Sequence, residues 1–94
     1  MILPKSITLA GLTIEVIVAP TLFKDSSIGG HSDYANLRIL IAGDIAPQQQ
    51  QVTFLHEALH FILFVMGEAE LRDNEKFVDL LAHFLHQLQT QEVL

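Results

Sequence analysis

Ala46-Pro47-Gln-Gln-Gln-Gln-Val-Thr-Phe-Leu-His56-Glu57-Ala-Leu-His60-Phe-Ile-Leu-Phe-Val-Met66-Gly67 opens on a proline and closes on a glycine. No helix breaker lies between them. Pro suits the first turn of a helix, where its missing N–H has no partner in any case. Gly suits the residue just past the last turn, where the chain turns left-handed. The stretch therefore predicts one helix over 47–66, with Asp44 or Ile45 just outside its start. It is amphipathic early and apolar nearly all round from Phe61 to Met66, as expected of a central, buried helix.

His56 and His60 are four apart on that helix. One turn places them on one face, about 6 Å apart, so both imidazoles can reach a single metal ion at ~2.0–2.1 Å. Glu57 sits beside them, poorly placed to bind the same ion but well placed to take a proton from water activated there. A catalytic zinc site also wants a third protein ligand. Downstream, Asn74-Glu75-Lys-Phe-Val-Asp79 sets two carboxylates one turn apart at the start of a second helix over about 74–89, capped by Asp73 or Asn74. One of the two can bind the ion while the other accepts the free ring N–H of a ligand histidine. A compact turn after Gly67 would bring Asp79 level with His60, and a connection that folds back would bring Glu75 there instead. Glu75 is the preferred ligand and Asp79 the alternative. One Zn²⁺ per chain is the expected cofactor.

His83 follows Asp79 by four residues and can approach the same place, as a ligand or as a donor to developing charge; His86 lies further along the helix. His31 and Tyr34, in the glycine-flanked segment after Gly30, are further candidates to donate to an oxyanion or to touch substrate.

The residues before the long helix read as β. Residues 5–19 give two β-branched runs broken at Ala10-Gly11, which predicts a hairpin. Ile7 and Leu9, and Leu12, Ile14, Val16 and Val18, would face one way. Thr21 to Asn36, rich in Ser, Gly and Asp, reads as a loop, and Leu37–Ala42 as a third short strand. The expected fold is a single α+β domain over 1–94: a short, three-stranded, mostly antiparallel sheet packed on a two-helix pair.

Composition narrows the function. The chain has 94 residues and half of them are apolar, enough for one modest core and too apolar for disorder. It has no cysteine, which removes disulfide scaffolds, Cys-ligated metals and thiol nucleophiles. Five basic residues against eleven acidic ones leave a net charge of −6. Nucleic acid and anionic membranes demand a basic face, so neither is an expected partner. No apolar run approaches the ~20 residues that span a bilayer, and a cytoplasmic location is the default expectation. A chain this short gains from an added source of stability, and a metal or a homo-oligomer would supply it.

His56-Glu57-xx-His60 with Asn74-Glu75-xxx-Asp79 resembles the zinc-binding helices of zincin metallopeptidases. The thermolysin-like branch uses such a Glu as third ligand and such an Asp to orient a zinc-bound histidine. The layout over residues 28–88 is similar to that of the very small zincin-like proteins of phages and prophages, with counterparts in Gly30–Asp33, Leu37–Ala42, Thr53–His60 and Glu75–Ala82. The resemblance implies zinc-dependent hydrolysis of a peptide or protein substrate, with Glu57 as general base. It also implies that an edge strand beside the zinc helix, with Leu37–Ala42 the candidate, aligns the peptide by main-chain hydrogen bonds. The alternative is a non-catalytic module of the same fold, stabilised by metal and serving assembly or regulation.

Overall fold

A computed structural model describes residues 2–94. It is α+β: a four-stranded mixed sheet and four helices. Strands β1 (Ser6–Leu9) and β2 (Leu12–Ala19) form the expected hairpin. Its two-residue turn, Ala10 at φ 49° and Gly11 at φ 81°, is left-handed at both positions, the geometry that matches strand twist.

The rest of the sheet corrects the expectation of three mostly antiparallel strands. The segment 21–36 is not a plain loop. It holds a short helix, α1 (Leu22–Ser26), and a fourth strand, β3 (Gly30–Asp33). β4 (Arg38–Ala42) pairs with β3 antiparallel and with β2 in parallel, giving the order β1-β2-β4-β3. Residues 37–42 are therefore interior to the sheet, and β3 is the edge. The turn into β4 is fixed by Asp33. Its carboxylate accepts from the Asn36 side-chain amide at 3.0 Å, from the Arg38 guanidinium at 3.1 Å and from the Asn36 N–H at 3.3 Å. The Asn36 side-chain bond leads the contacts that hold this carboxyl below its ordinary value, over an opposing desolvation. Helix α1 is capped from afar: Asp44 accepts the N–H of Phe23 at 3.0 Å and of Lys24 at 2.8 Å.

Helix α2 (Pro47–Met66) starts and stops where the sequence predicts, with Gly67 at φ 76°. It lies between two apolar layers. One flank meets the inward residues Ile14, Val16, Ile39 and Ile41 of the sheet through Phe54, Ala58 and Phe61. The other meets Val78 and Ala82 through Leu59 and Leu63. The burial expected along its whole last turn stops short, because Phe64 and Met66 reach the surface. A short helix, α3 (Ala69–Arg72), occupies the connection, and α4 (Glu75–Thr90) begins after Asn74, whose side chain accepts the Phe77 N–H at 3.1 Å. Among the described residues, no helix is long and apolar enough to cross a membrane.

Register sets what β3 presents to α2. Gly30 pairs with Ile41 and Ser32 with Ile39, so both share the inward face with those core residues, while His31 alternates outward. Gly30 is required by closeness: a Cβ there would lie 2.5 Å from Thr53 Cγ2, 3.0 Å from the Leu40 carbonyl and 3.2 Å from Glu57 Cγ. Gly30→Ala should therefore destabilise the fold by about 1–3 kcal/mol through overpacking, read by urea unfolding. Unchanged stability would show that β3 does not press on α2 as described.

Candidate metal centre

Helix periodicity brings His56 and His60 to one side of α2, and the antiparallel run of α4 brings Glu75 opposite them. His56 Nε2 lies 3.1 Å from Glu75 Oε2, His60 Nε2 lies 3.1 Å from Glu75 Oε1, and the two Nε2 atoms are 3.2 Å apart. Among the described residues, this is the one group of three or more His, Asp or Glu side chains whose ligand atoms gather this closely, and it can hold a metal ion. A tetrahedral ion with bonds of ~2.0–2.2 Å spaces its donors ~3.3–3.6 Å apart, so the observed triangle needs little adjustment.

The tautomer of each imidazole decides whether the group fits a cation. His56 Nδ1 faces Asp79 Oδ1 at 3.3 Å. A proton on that Nδ1 leaves Nε2 with a lone pair, aimed at the Glu75 carboxylate and at His60 Nε2. With the Nε2 of both imidazoles unprotonated the cluster can accept a cation; with a proton on His60 Nε2 it closes instead by hydrogen bonds to Glu75 and His56. Asp79 therefore stands where it orients His56, and Glu75 stands at the centre, as a connection that folds back would place them. His60 differs: its Nδ1 is buried and has no hydrogen-bond partner among the described residues.

Glu57 is 7% exposed and is not one of the three grouped side chains. Its Oε1 accepts a 2.8 Å hydrogen bond from the Ser32 hydroxyl, which also lies 3.2 Å from the Glu57 carbonyl. Ser32 is a residue that sequence reading missed. A hollow of about 410 Å³ is lined by His56, Glu57, His60 and Glu75 together with Ser32, Tyr34 and Arg72. A second hollow, of about 280 Å³, shares His56 and Glu57 and continues past Ile28, Gly29 and Gly30. The two meet at Gly30, His56 and Glu57 and so form a groove between β3 and α2.

The other candidates separate. Tyr34 lines the first hollow and stacks on Phe64, ring centroids 4.6 Å apart. Burial raises its phenol above the ordinary 10.0; the Arg72 charge opposes this, and Glu57, Asp73 and Glu75 add to it. His31 borders the hollow from the outward face of β3. His83 is outside the metal group: its Nδ1 bonds the Asp79 carbonyl at 2.8 Å, and it lines the second hollow. His86 is buried against Gln51 Oε1 at 2.9 Å, a structural contact.

Zinc-chelator competition should find one tight site per chain in the wild type and in Glu57→Gln, and none in His60→Ala. Glu75→Ala should abolish tight binding, while Asp79→Ala weakens it about 10- to 100-fold, as for a carboxylate that orients a ligand. A larger loss in Asp79→Ala than in Glu75→Ala would reverse the two roles. Tyr34 is the sole tyrosine, so ultraviolet titration of the metal-free protein reads it directly. The midpoint should lie above 10.0 and return to the ordinary value in denaturant. The stability this contributes is whole below the ordinary value and is lost as pH rises through the native midpoint. A native midpoint at or below the denatured one would contradict the burial.

Comparison with family models, with curated proteins and with solved structures finds no match.

Proposed function

We propose that the chain is a small zincin-like metallopeptidase that binds one zinc ion through His56, His60 and Glu75 and hydrolyses a peptide bond with Glu57 as general base. The observation that carries the reading is the placement of Glu57: a buried carboxylate outside the ligand group, opening on the same hollow as the ligands and held by a hydroxyl from the neighbouring strand. A purely structural metal site has no use for a base at that place. Two imidazole nitrogens and a carboxylate oxygen suit zinc and leave room for a fourth, exchangeable partner.

Zinc, when bound, supplies Lewis acidity for the scissile carbonyl and lowers the pKa of water. The protein's own groups do the rest. Glu57 takes the proton from the attacking water and returns it to the leaving amine. Ser32 donates to one carboxylate oxygen of Glu57 and so fixes which oxygen faces the hollow. Tyr34 keeps its O–H through neutral pH and can donate to charge developing on the carbonyl oxygen. The open edge of β3 takes the role first expected of residues 37–42. Its free backbone groups can pair with an extended peptide lying in the groove. Backbone pairing of this kind would carry much of the binding.

Glu57→Gln should lower peptide hydrolysis by a factor of about 10²–10⁴, the usual worth of a positioned base, with zinc content unchanged. Ser32→Ala should lower kcat more than it raises KM, because it loosens the base and leaves the groove. A peptide-library screen with zinc-loaded wild type and Glu57→Gln is the check. Equal activity in both proteins, or none in the wild type, would favour a metal-stabilised interaction module.

A further inference from the structure

Arg72, the last residue of α3, is held in an unusual way for a surface arginine. Its guanidinium carbon lies 5.4 Å from the centroid of the Tyr34 ring and 5.8 Å from that of Phe64. Phe61 meets the Tyr34 ring edge-on at 5.0 Å, so the platform under the guanidinium is braced by the core. The side chain is only 27% exposed. Its Nε makes a long contact of 3.4 Å with Asp73, and its terminal nitrogens have no hydrogen-bond partner among the described residues. A guanidinium drawn to ring faces by its charge does not spend its N–H fork on them, and that fork matches a carboxylate.

Position gives the fork a target. Arg72 lines the hollow that His56, Glu57, His60 and Glu75 also line. It is the one Lys or Arg among the described residues lining either half of the groove. Glu57, Asp73 and Glu75 make much of the remaining wall acidic, so apart from the proposed zinc it is Arg72 that can draw an anionic group into the hollow. A compact hollow of about 410 Å³ is about 7–9 Å across, room for about two extended residues at ~3.3–3.6 Å each.

We infer that Arg72 receives a carboxylate of the peptide, so that the substrate is a peptide with an acidic group within about two residues of the scissile bond. The inference rests on the peptidase reading of the same site. The carboxylate can be a chain terminus or an Asp or Glu side chain, and both present the same planar pair of oxygens.

The test is calorimetric titration of zinc-loaded Glu57→Gln protein, which keeps the proposed ligands and lacks the base. The probes are four N-acetylated alanine tetrapeptides: the free acid, the C-terminal amide, and amides carrying one Asp or one Asn. The free acid should bind about 10- to 100-fold tighter than its amide, or the Asp peptide than the Asn peptide, as a charge-assisted bidentate contact allows. Whichever pair shows the difference identifies the source of the carboxylate. Adding Arg72→Gln should bring that ratio to about one. Arg72→Lys, which keeps the stem and the charge, should lose most of the ratio while the melting temperature stays near that of the parent. A preference that survives both substitutions assigns the carboxylate to the metal and overturns the inference, as does equal or absent binding within both pairs. Failure of the wild type to hydrolyse any peptide would count against the peptidase reading and leave a positive binding result intact.

Discussion

Two imidazoles and a carboxylate meet at one point between two helices, and the rest of the structure is arranged around that meeting. Two come from α2 and follow from helix geometry alone, since residues four apart share a face. The third depends on where α4 begins. Gly67 ends α2 in a left-handed turn, α3 takes up the connection, and the Asn74 cap starts α4 so that Glu75, in its first turn, sits opposite both imidazoles. Asp79, one turn on, then falls behind His56. A shorter connection would have slid α4 along α2 and exchanged the two carboxylates. The apolar contacts of Leu59 and Leu63 with Val78 and Ala82 hold the helices in this register, so the core and the centre depend on the same few residues.

The sheet supplies the other half of the site. β4 is buried between β2 and β3, and its inward residues Ile39 and Ile41 reach the core. Their partners on β3 are Ser32 and Gly30, small enough to let the edge strand lie against α2. This close approach puts a hydroxyl on Glu57 and leaves the outer rim of β3 open beside the hollow. The carboxylate is thus separated from the ligand group by what holds it: His56 and His60 face α4, and Glu57 faces the sheet.

Much of this was legible in the sequence. Pro47 and Gly67 bounded α2 correctly, the hairpin turned at Ala10-Gly11, and the spacing of His56, His60, Glu75 and Asp79 pointed to one place. Strand β3 was not legible, because Gly30-His31-Ser32-Asp33 has no β-branched or aromatic residue to mark a strand. Its only local signal is the turn chemistry of Asp33 and Asn36, which joins it to β4. Without β3, residues 37–42 read as an edge strand, the parallel pairing with β2 stayed hidden, and Ser32 had no reason to be singled out. Helix α1 was missed because its cap, Asp44, lies about twenty residues away in the chain. Arg72 carries no signal of its own in the sequence, since the rings it lies over, at β3's exit and on α2, are brought together only by the tertiary fold.

His56, His60 and Glu75, gathered between α2 and α4, can hold one metal ion. Anomalous diffraction at the zinc edge, from crystals of protein purified without chelators and supplied with zinc, tests it most directly. A single strong peak is expected within bonding distance of both Nε2 atoms and a Glu75 oxygen, with Glu57 and Asp79 outside that distance. No peak, or a peak centred on other side chains such as Asp79 and His83, would contradict it.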